Sequence, residues 1–111
     1  MTRSEPARHE LPVIDAAALA AARGADHLLA RAHELGLDRW ERYLAPLPEQ
    51  LRDAPLAGLR AAARRARAAY GPKDSIRDAL PADVTEPFLA LLDRLIRELN
   101  RYAARPDGDG Q

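Results

Sequence analysis

Apolar and small side chains recur every three or four residues along most of this chain, which is the period of an α-helix with one buried face. Alternation of apolar and polar residues, which would predict a strand, is nowhere long enough to form one. The pattern therefore predicts an all-α fold, a small helical bundle of four to six helices with no sheet, over residues 13–104.

The first helix is predicted from Asp15 to Leu35. Asp15 is a residue type that caps free backbone N–H groups, and Gly36 suits the left-handed conformation in which many helices end. Small side chains dominate its apolar face. The helical spacing passes through Gly24, and the sequence leaves open whether the helix kinks at that residue.

The middle of the chain contains three shorter helical patterns. Asp38 and Glu41 stand in capping-box spacing and open a helix that ends at Pro46, after which Pro48 can open another turn or two. A brief helix capped by Asp74 or Ser75 comes later in the chain.

Between these short patterns lies a longer helix, predicted from Pro55 to Tyr70. It must end there because Gly71 and Pro72 follow, and proline cannot continue a helix. Its predicted buried stripe consists of Leu56, Leu59, Ala63, Ala66 and Tyr70.

The last helix, opened by Asp83 and Glu86 and running to about Ala104, carries the bulkiest apolar face. Its seam follows the 4, 3, 4, 3 spacing of a helix that lies along another helix, in Phe88, Leu92, Leu95, Leu99 and Tyr102. This seam either forms the core of a monomeric bundle or is shared with a second chain. The alanine-rich faces of the other helices favour sharing, because they offer little bulk to cover so many leucines.

The leading hypothesis from this seam is a non-enzymatic helical assembly or protein-interaction module. It would act as a homo-oligomer, or as a small subunit of a complex with another protein. On this hypothesis the five seam residues are the oligomer or partner interface.

The charges balance at 17 basic and 17 acidic residues, so any attraction to nucleic acid must be local. Arg60, Arg64 and Arg67 follow i, i+4, i+7 spacing and form a stripe along one side of their helix. With Lys73 and Arg77 they support an alternative function, binding to the backbone of RNA or DNA. The same stripe is also typical of a solvated face whose arginines pair with acids of neighbouring helices.

The residues that usually carry chemistry are sparse. Cysteine is absent, and the spacing of the three histidines does not match a helical metal pair, so we expect no metal and no cofactor. No nucleophile stands beside a base, and the few hydroxyl residues include Ser75 and Thr85, which are interpreted as helix caps. We therefore expect no catalytic residues and no enzymatic activity.

The ends of the chain differ from the predicted bundle. Residues 1–12 and 105–111 are polar and rich in turn-forming residues, so we expect a flexible arm and a flexible tail. No apolar run approaches the length of a membrane span, which predicts a cytoplasmic protein without membrane contact. Abundant alanine and a single lysine, Lys73, suggest a GC-rich bacterial genome.

The C-terminal half, from Leu59 to Ala103, has a distinctive order of features. An arginine-bearing helix ends at Tyr70, a short helix follows, and the last helix has Phe88 near its start and Tyr102 near its end. In this order it resembles the small helical subunit of type III CRISPR effector complexes, a family that packs as a filament and supports guide and target backbones. The resemblance implies a small subunit of an RNA-guided complex.

Overall fold

Six α-helices account for most of the structure, a computed structural model that describes residues 5–104. They are α1 (Pro12–Glu34), α2 (Asp38–Leu44), α3 (Leu47–Asp53), α4 (Leu56–Ala68), α5 (Ile76–Ala79) and α6 (Ala82–Ala104). Within the described residues no strand is present, so the predicted all-α bundle of four to six helices without a sheet is confirmed. The predicted tail, residues 105–111, and residues 1–4 of the predicted arm lie outside the described part of the chain.

The two long helices, α1 and α6, lie side by side and form the centre of the bundle. Helices α2 and α3 pack against α1, while α4 packs against both α3 and α6. The short α5 contacts α6 and links it to α4. No helix in the described region is long and apolar enough to cross a membrane.

The N-terminal segment is tied to the bundle by one arginine. Residues Arg8–Glu10 form a 3₁₀ turn, and α1 begins at Pro12, three residues before the predicted start. Asp15 does not cap the helix, because it is the fourth residue of α1, and its carboxylate accepts a hydrogen bond from Arg8 Nε at 2.9 Å. Arg8 Nη1 also donates to the carbonyl of Ala54 at 2.8 Å, which joins this segment, assigned to a flexible arm by the sequence, to the start of α4.

Two predicted helix ends are confirmed. Gly36 has a φ of 68°, and its N–H donates to His33 O at 3.1 Å while that of Leu37 donates to Ala32 O at 3.0 Å. These two bonds form the glycine-terminated motif that satisfies the last carbonyls of a helix. The hydroxyl of Ser75 caps α5 by accepting a backbone N–H, as predicted.

Two further predicted caps are wrong. Helix α2 begins at Asp38 itself and α6 begins at Ala82, so neither Asp38 nor Asp83 occupies the capping position. In each case a competing charge from another segment holds the glutamate of the expected capping box. Glu41 Oε2 lies 2.9 Å from His33 Nδ1, for example, instead of reaching back to its own helix.

Helix α1 continues unbroken through Gly24, which marks a close approach between helices and not a helix break. A Cβ atom at this position would lie 3.0 Å from Phe88 Cδ1 and 3.2 Å from Leu91 Cδ1 of α6. The buried positions around it are nearly all alanine: Ala17, Ala18, Ala21, Ala22, Ala25 and Ala32. This small-residue face lets the backbone of α1 lie close against α6.

The apolar seam of α6 is buried within a single chain. Phe88, Leu92, Leu95 and Leu99 are each at most 3% exposed, and only Tyr102 remains partly exposed. These four side chains therefore leave almost no surface for a second chain to cover, which matches the alternative of a monomeric core. A leucine is covered by any atoms in van der Waals contact, and small side chains bring the backbone itself into that role.

We expect Gly24→Leu to destabilise the chain, because the added side chain would overlap Phe88 and Leu91 and push α1 away from α6. The expected loss is about 2 kcal/mol in free energy of unfolding, measured by urea denaturation. Ala30→Leu, at an exposed position of the same helix, is the matched control and should change stability by no more than about 0.5 kcal/mol. Equal stability of the two variants would contradict the close approach.

Candidate functional site

The surface between α4 and α6 forms a groove of about 350 Å³ that brings the arginine stripe beside apolar side chains. Its lining residues are Arg60, Ala63, Arg64, Arg67, Ala68, Ile96, Leu99 and Asn100. We call it the α4–α6 groove. One wall is cationic, and the remaining lining is mostly small or apolar.

The groove follows from the helical spacing of its two walls. Arg60, Arg64 and Arg67 stand on successive turns of α4, next to the buried face of that helix, and span about 10 Å along its axis. Ile96 and Asn100 stand one turn apart on α6, at the edge of its buried seam. Helical spacing predicted the arginine wall. It did not predict Asn100, because the place of that residue in the groove depends on the packing of α4 against α6.

The arginines of this wall differ in how far they are neutralised. Arg67 Nε lies 3.1 Å from Asp93 Oδ1, and both side chains are about half exposed at 46%. An exposed pair of this kind contributes little, on the order of 0.5 kcal/mol, and exchanges readily with other partners. No carboxylate pairs with Arg60 or Arg64 in the part of the chain that the structure describes. These two guanidinium groups are therefore available to an anionic partner.

The structure does not bring Lys73 and Arg77 into the groove. Lys73 lies exposed in the turn between α4 and α5. Arg77 donates from Nε and Nη2 to the two carboxylate oxygens of Glu86, each at 2.9 Å. This bidentate bond raises the pKa of Arg77 and lowers the pKa of Glu86. The five predicted cations thus divide into three in the groove and two outside it.

Tyr70, the aromatic residue just after α4, is also unavailable to a ligand. Tyr70 is only 8% exposed, and its hydroxyl donates to the carbonyl of Thr85 at 2.6 Å. Arg67 and Arg77 lie 5.9 and 5.6 Å from its ring centroid. Burial, and to a lesser extent the charge of Glu86, raises the pKa of Tyr70 above its ordinary value. A tyrosine held in this way cannot offer a face on which a nucleic-acid base could stack.

Thr85 is another residue whose predicted role is wrong. It lies inside α6 and is 1% exposed, so it does not cap the helix. Its hydroxyl donates to Glu86 Oε2 at 3.1 Å, which fixes the carboxylate that binds Arg77. Thr85 therefore helps to join α5 to the start of α6.

Metal-ligating groups do not converge in the described residues, where no cluster of three or more His, Cys, Asp or Glu side chains could hold an ion.

Comparison with protein-family models, with curated proteins and with solved structures gave no match to this chain. The resemblance to the small subunit of type III CRISPR effector complexes thus stays a prediction.

We expect Tyr70→Phe to lower the free energy of unfolding by about 1 kcal/mol at neutral pH, because it removes a buried hydrogen bond. The free energy of unfolding of the variant should also fall less as the pH rises into the alkaline range. The pKa of Tyr70 is raised in the folded chain from its ordinary value of 10.0, so the unfolded chain releases this proton first. The stability that Tyr70 contributes is therefore fully present below its ordinary pKa and is lost as the pH rises toward the raised pKa of the folded chain.

The measurement is urea denaturation at about pH 9 and about pH 11, either side of the ordinary tyrosine pKa. Tyr102→Phe, which leaves Tyr70 in place, is the control. A Tyr70→Phe variant that loses as much stability over this interval as the unaltered chain would contradict the burial of the Tyr70 hydroxyl.

Proposed function

We propose that this chain is a non-enzymatic protein-interaction module of the cytoplasm that binds an acidic helical segment in the α4–α6 groove. The observation that carries the proposal is a pair of guanidinium groups, Arg60 and Arg64, which no carboxylate of residues 5–104 neutralises and which lie beside apolar Ala63 and Ile96. A helix with carboxylates on one side and apolar residues on the other matches both parts of this surface.

The spacing of the wall restricts the ligand further. Arg60 and Arg64 are one helical turn apart, and Arg67 adds a third cation once its exposed pairing with Asp93 is exchanged. A docked helix with carboxylates at i and i+4 would meet the first two arginines in register. Arginine suits this role because its planar fork binds a carboxylate through two hydrogen bonds.

The apolar floor favours a protein partner over a nucleic-acid backbone. A sugar-phosphate chain gains little from contact with Ile96 and Ala68, which keep exposed apolar surface in the groove, whereas an amphipathic helix buries apolar atoms there. Arg77 is held by Glu86 through a bidentate ion pair and Lys73 lies outside the groove, which leaves only the three arginines of the groove for phosphates. Buried Tyr70 removes the stacking contribution that single-stranded nucleic acid would need.

The proposal is tested by fluorescence anisotropy with defined probes. The first probe is a labelled amphipathic peptide of about 15 residues, long enough to form a helix, with glutamates at i and i+4 beside leucines. A peptide of the same composition in scrambled order is its control. The second probe is a labelled single-stranded RNA of roughly 20 nucleotides, measured in about 50 mM salt, where phosphate contacts are strongest.

The chain is compared with two charge-matched double variants. Arg60→Glu with Arg64→Glu should weaken binding of the ordered peptide at least about tenfold, a change of about 1.4 kcal/mol. Arg23→Glu with Arg42→Glu changes two exposed arginines outside the groove by the same total charge and should leave binding within about twofold.

Equal binding of ordered and scrambled peptides, or no binding of either, would contradict the proposal. Tighter binding of RNA than of the peptide, lost in the groove variant and kept in the control variant, would replace it with the nucleic-acid alternative.

A further inference from the structure

A second charged surface lies on α3, where Glu49 and Asp53 stand one helical turn apart and are both exposed. No basic side chain pairs with either carboxylate in the region that the structure describes. Neighbouring Arg52 binds Asp26 of α1 instead, at 2.8 Å. We call Glu49 and Asp53 the α3 acidic edge.

The surroundings of this edge are small and largely apolar. Glu49 and Asp53 border a shallow depression whose other lining residues are Ala45, Pro46, Gln50 and Ala54. The edge is thus a short helical ridge that carries carboxylates beside small apolar groups. A helical segment with carboxylates beside apolar groups is the ligand proposed for the α4–α6 groove.

The two surfaces match in spacing and are opposite in charge. Glu49 and Asp53 are separated by one turn of α3, and Arg60 and Arg64 by one turn of α4. Residues at i and i+4 place their Cβ atoms about 6 Å apart in any α-helix, so the two pairs can meet in register. The net charge of the chain is zero, yet the chain carries one cationic and one anionic surface that complement each other.

The complementarity is not used within the chain. Helices α3 and α4 pack against each other, yet no ion pair within the described residues joins the acidic edge to the arginines of the groove. The groove is lined by α4 and α6, while the depression at the acidic edge is lined by residues 45–54. Each surface can therefore bind a partner from outside, and a second copy of the chain presents both.

We propose that the α4–α6 groove binds the α3 acidic edge of a second copy of this chain. This inference rests on the proposed function and names its partner. The partner copy completes the groove by supplying Glu49 and Asp53 to Arg60 and Arg64. The contact is made once in a head-to-tail arrangement or twice across a two-fold axis. Because exposed ion pairs are weak and screened by salt, the association is reversible and favoured at low ionic strength.

Charge reversal on each surface tests the contact directly by sedimentation equilibrium at about 50 mM salt, where screening is modest. The groove variant is Arg60→Glu with Arg64→Glu, and the edge variant is Glu49→Arg with Asp53→Arg. Each alone should weaken self-association at least about tenfold, because it places like charges opposite each other. The control Arg23→Glu with Arg42→Glu should associate like the unaltered chain.

Restoration is the decisive result. An equimolar mixture of the groove and edge variants, and a single chain that carries all four substitutions, should both regain association to within about threefold of the unaltered chain, because opposite charges again face each other. Circular dichroism and thermal unfolding of each variant verify that these substitutions at exposed or partly exposed positions leave the fold intact.

Two outcomes would overturn the inference. One is an unaltered chain that stays monomeric at low salt, and the other is a four-substitution chain that fails to associate although it is folded. If the unaltered chain is monomeric but its groove still binds the acidic peptide, only this inference fails. If the groove binds neither the peptide nor a second copy, the proposed function fails with it.

Discussion

The contact between α1 and α6 is the interaction on which the rest of the structure depends. The alanine face of α1 and Gly24 allow the two helices to lie close together, and Phe88 and Leu95 are each at most 1% exposed. This arrangement completes the core from one chain. It also fixes the rotation of α6 about its own axis, because the seam that contains Leu92 and Leu99 must face inward.

The candidate groove is a consequence of that fixed rotation. With its seam buried, α6 exposes the flank that carries Ile96 and Asn100, and α4 packs beside this flank. The buried residues of α4 then orient its arginine stripe toward the same opening. Both proposed binding surfaces are therefore outer faces of helices whose inner faces are held by the core. Their charges can be altered without removing core contacts, so that binding can be tested in variants that remain folded.

The sequence predicted the fold class and most helices because their signals are local. Gly36 ended α1 as expected, and Ser75 capped α5, since both effects depend only on neighbouring backbone groups. The caps at Asp38 and Asp83 were wrong because both residues lie inside the first turn, while Glu41 and Glu86 bind His33 and Arg77 of the preceding segments. Thr85 lies inside α6 as well, and its hydroxyl donates to the adjacent Glu86.

The candidate site was predicted only in part. The spacing of Arg60, Arg64 and Arg67 correctly placed them on one face, because helical periodicity determines it. The burial of Tyr70 was predicted from its place in the apolar stripe of α4, whereas the binding of Arg77 by Glu86 depends on how α5 returns toward α6, which no local pattern encodes. The sequence favoured a shared α6 seam because alanines are small, whereas in the structure α1 lies so close to α6 that the seam is buried within one chain.

The central claim is that one chain alone completes its core through the contact of α1 with α6. It is tested most directly by thermal unfolding over a roughly hundredfold range of protein concentration in about 0.5 M NaCl, where surface ion pairs are largely screened. The account predicts a midpoint independent of concentration, because no second chain contributes to the core. A midpoint that rises steadily with concentration would show that the α6 seam needs a partner, and would contradict the account.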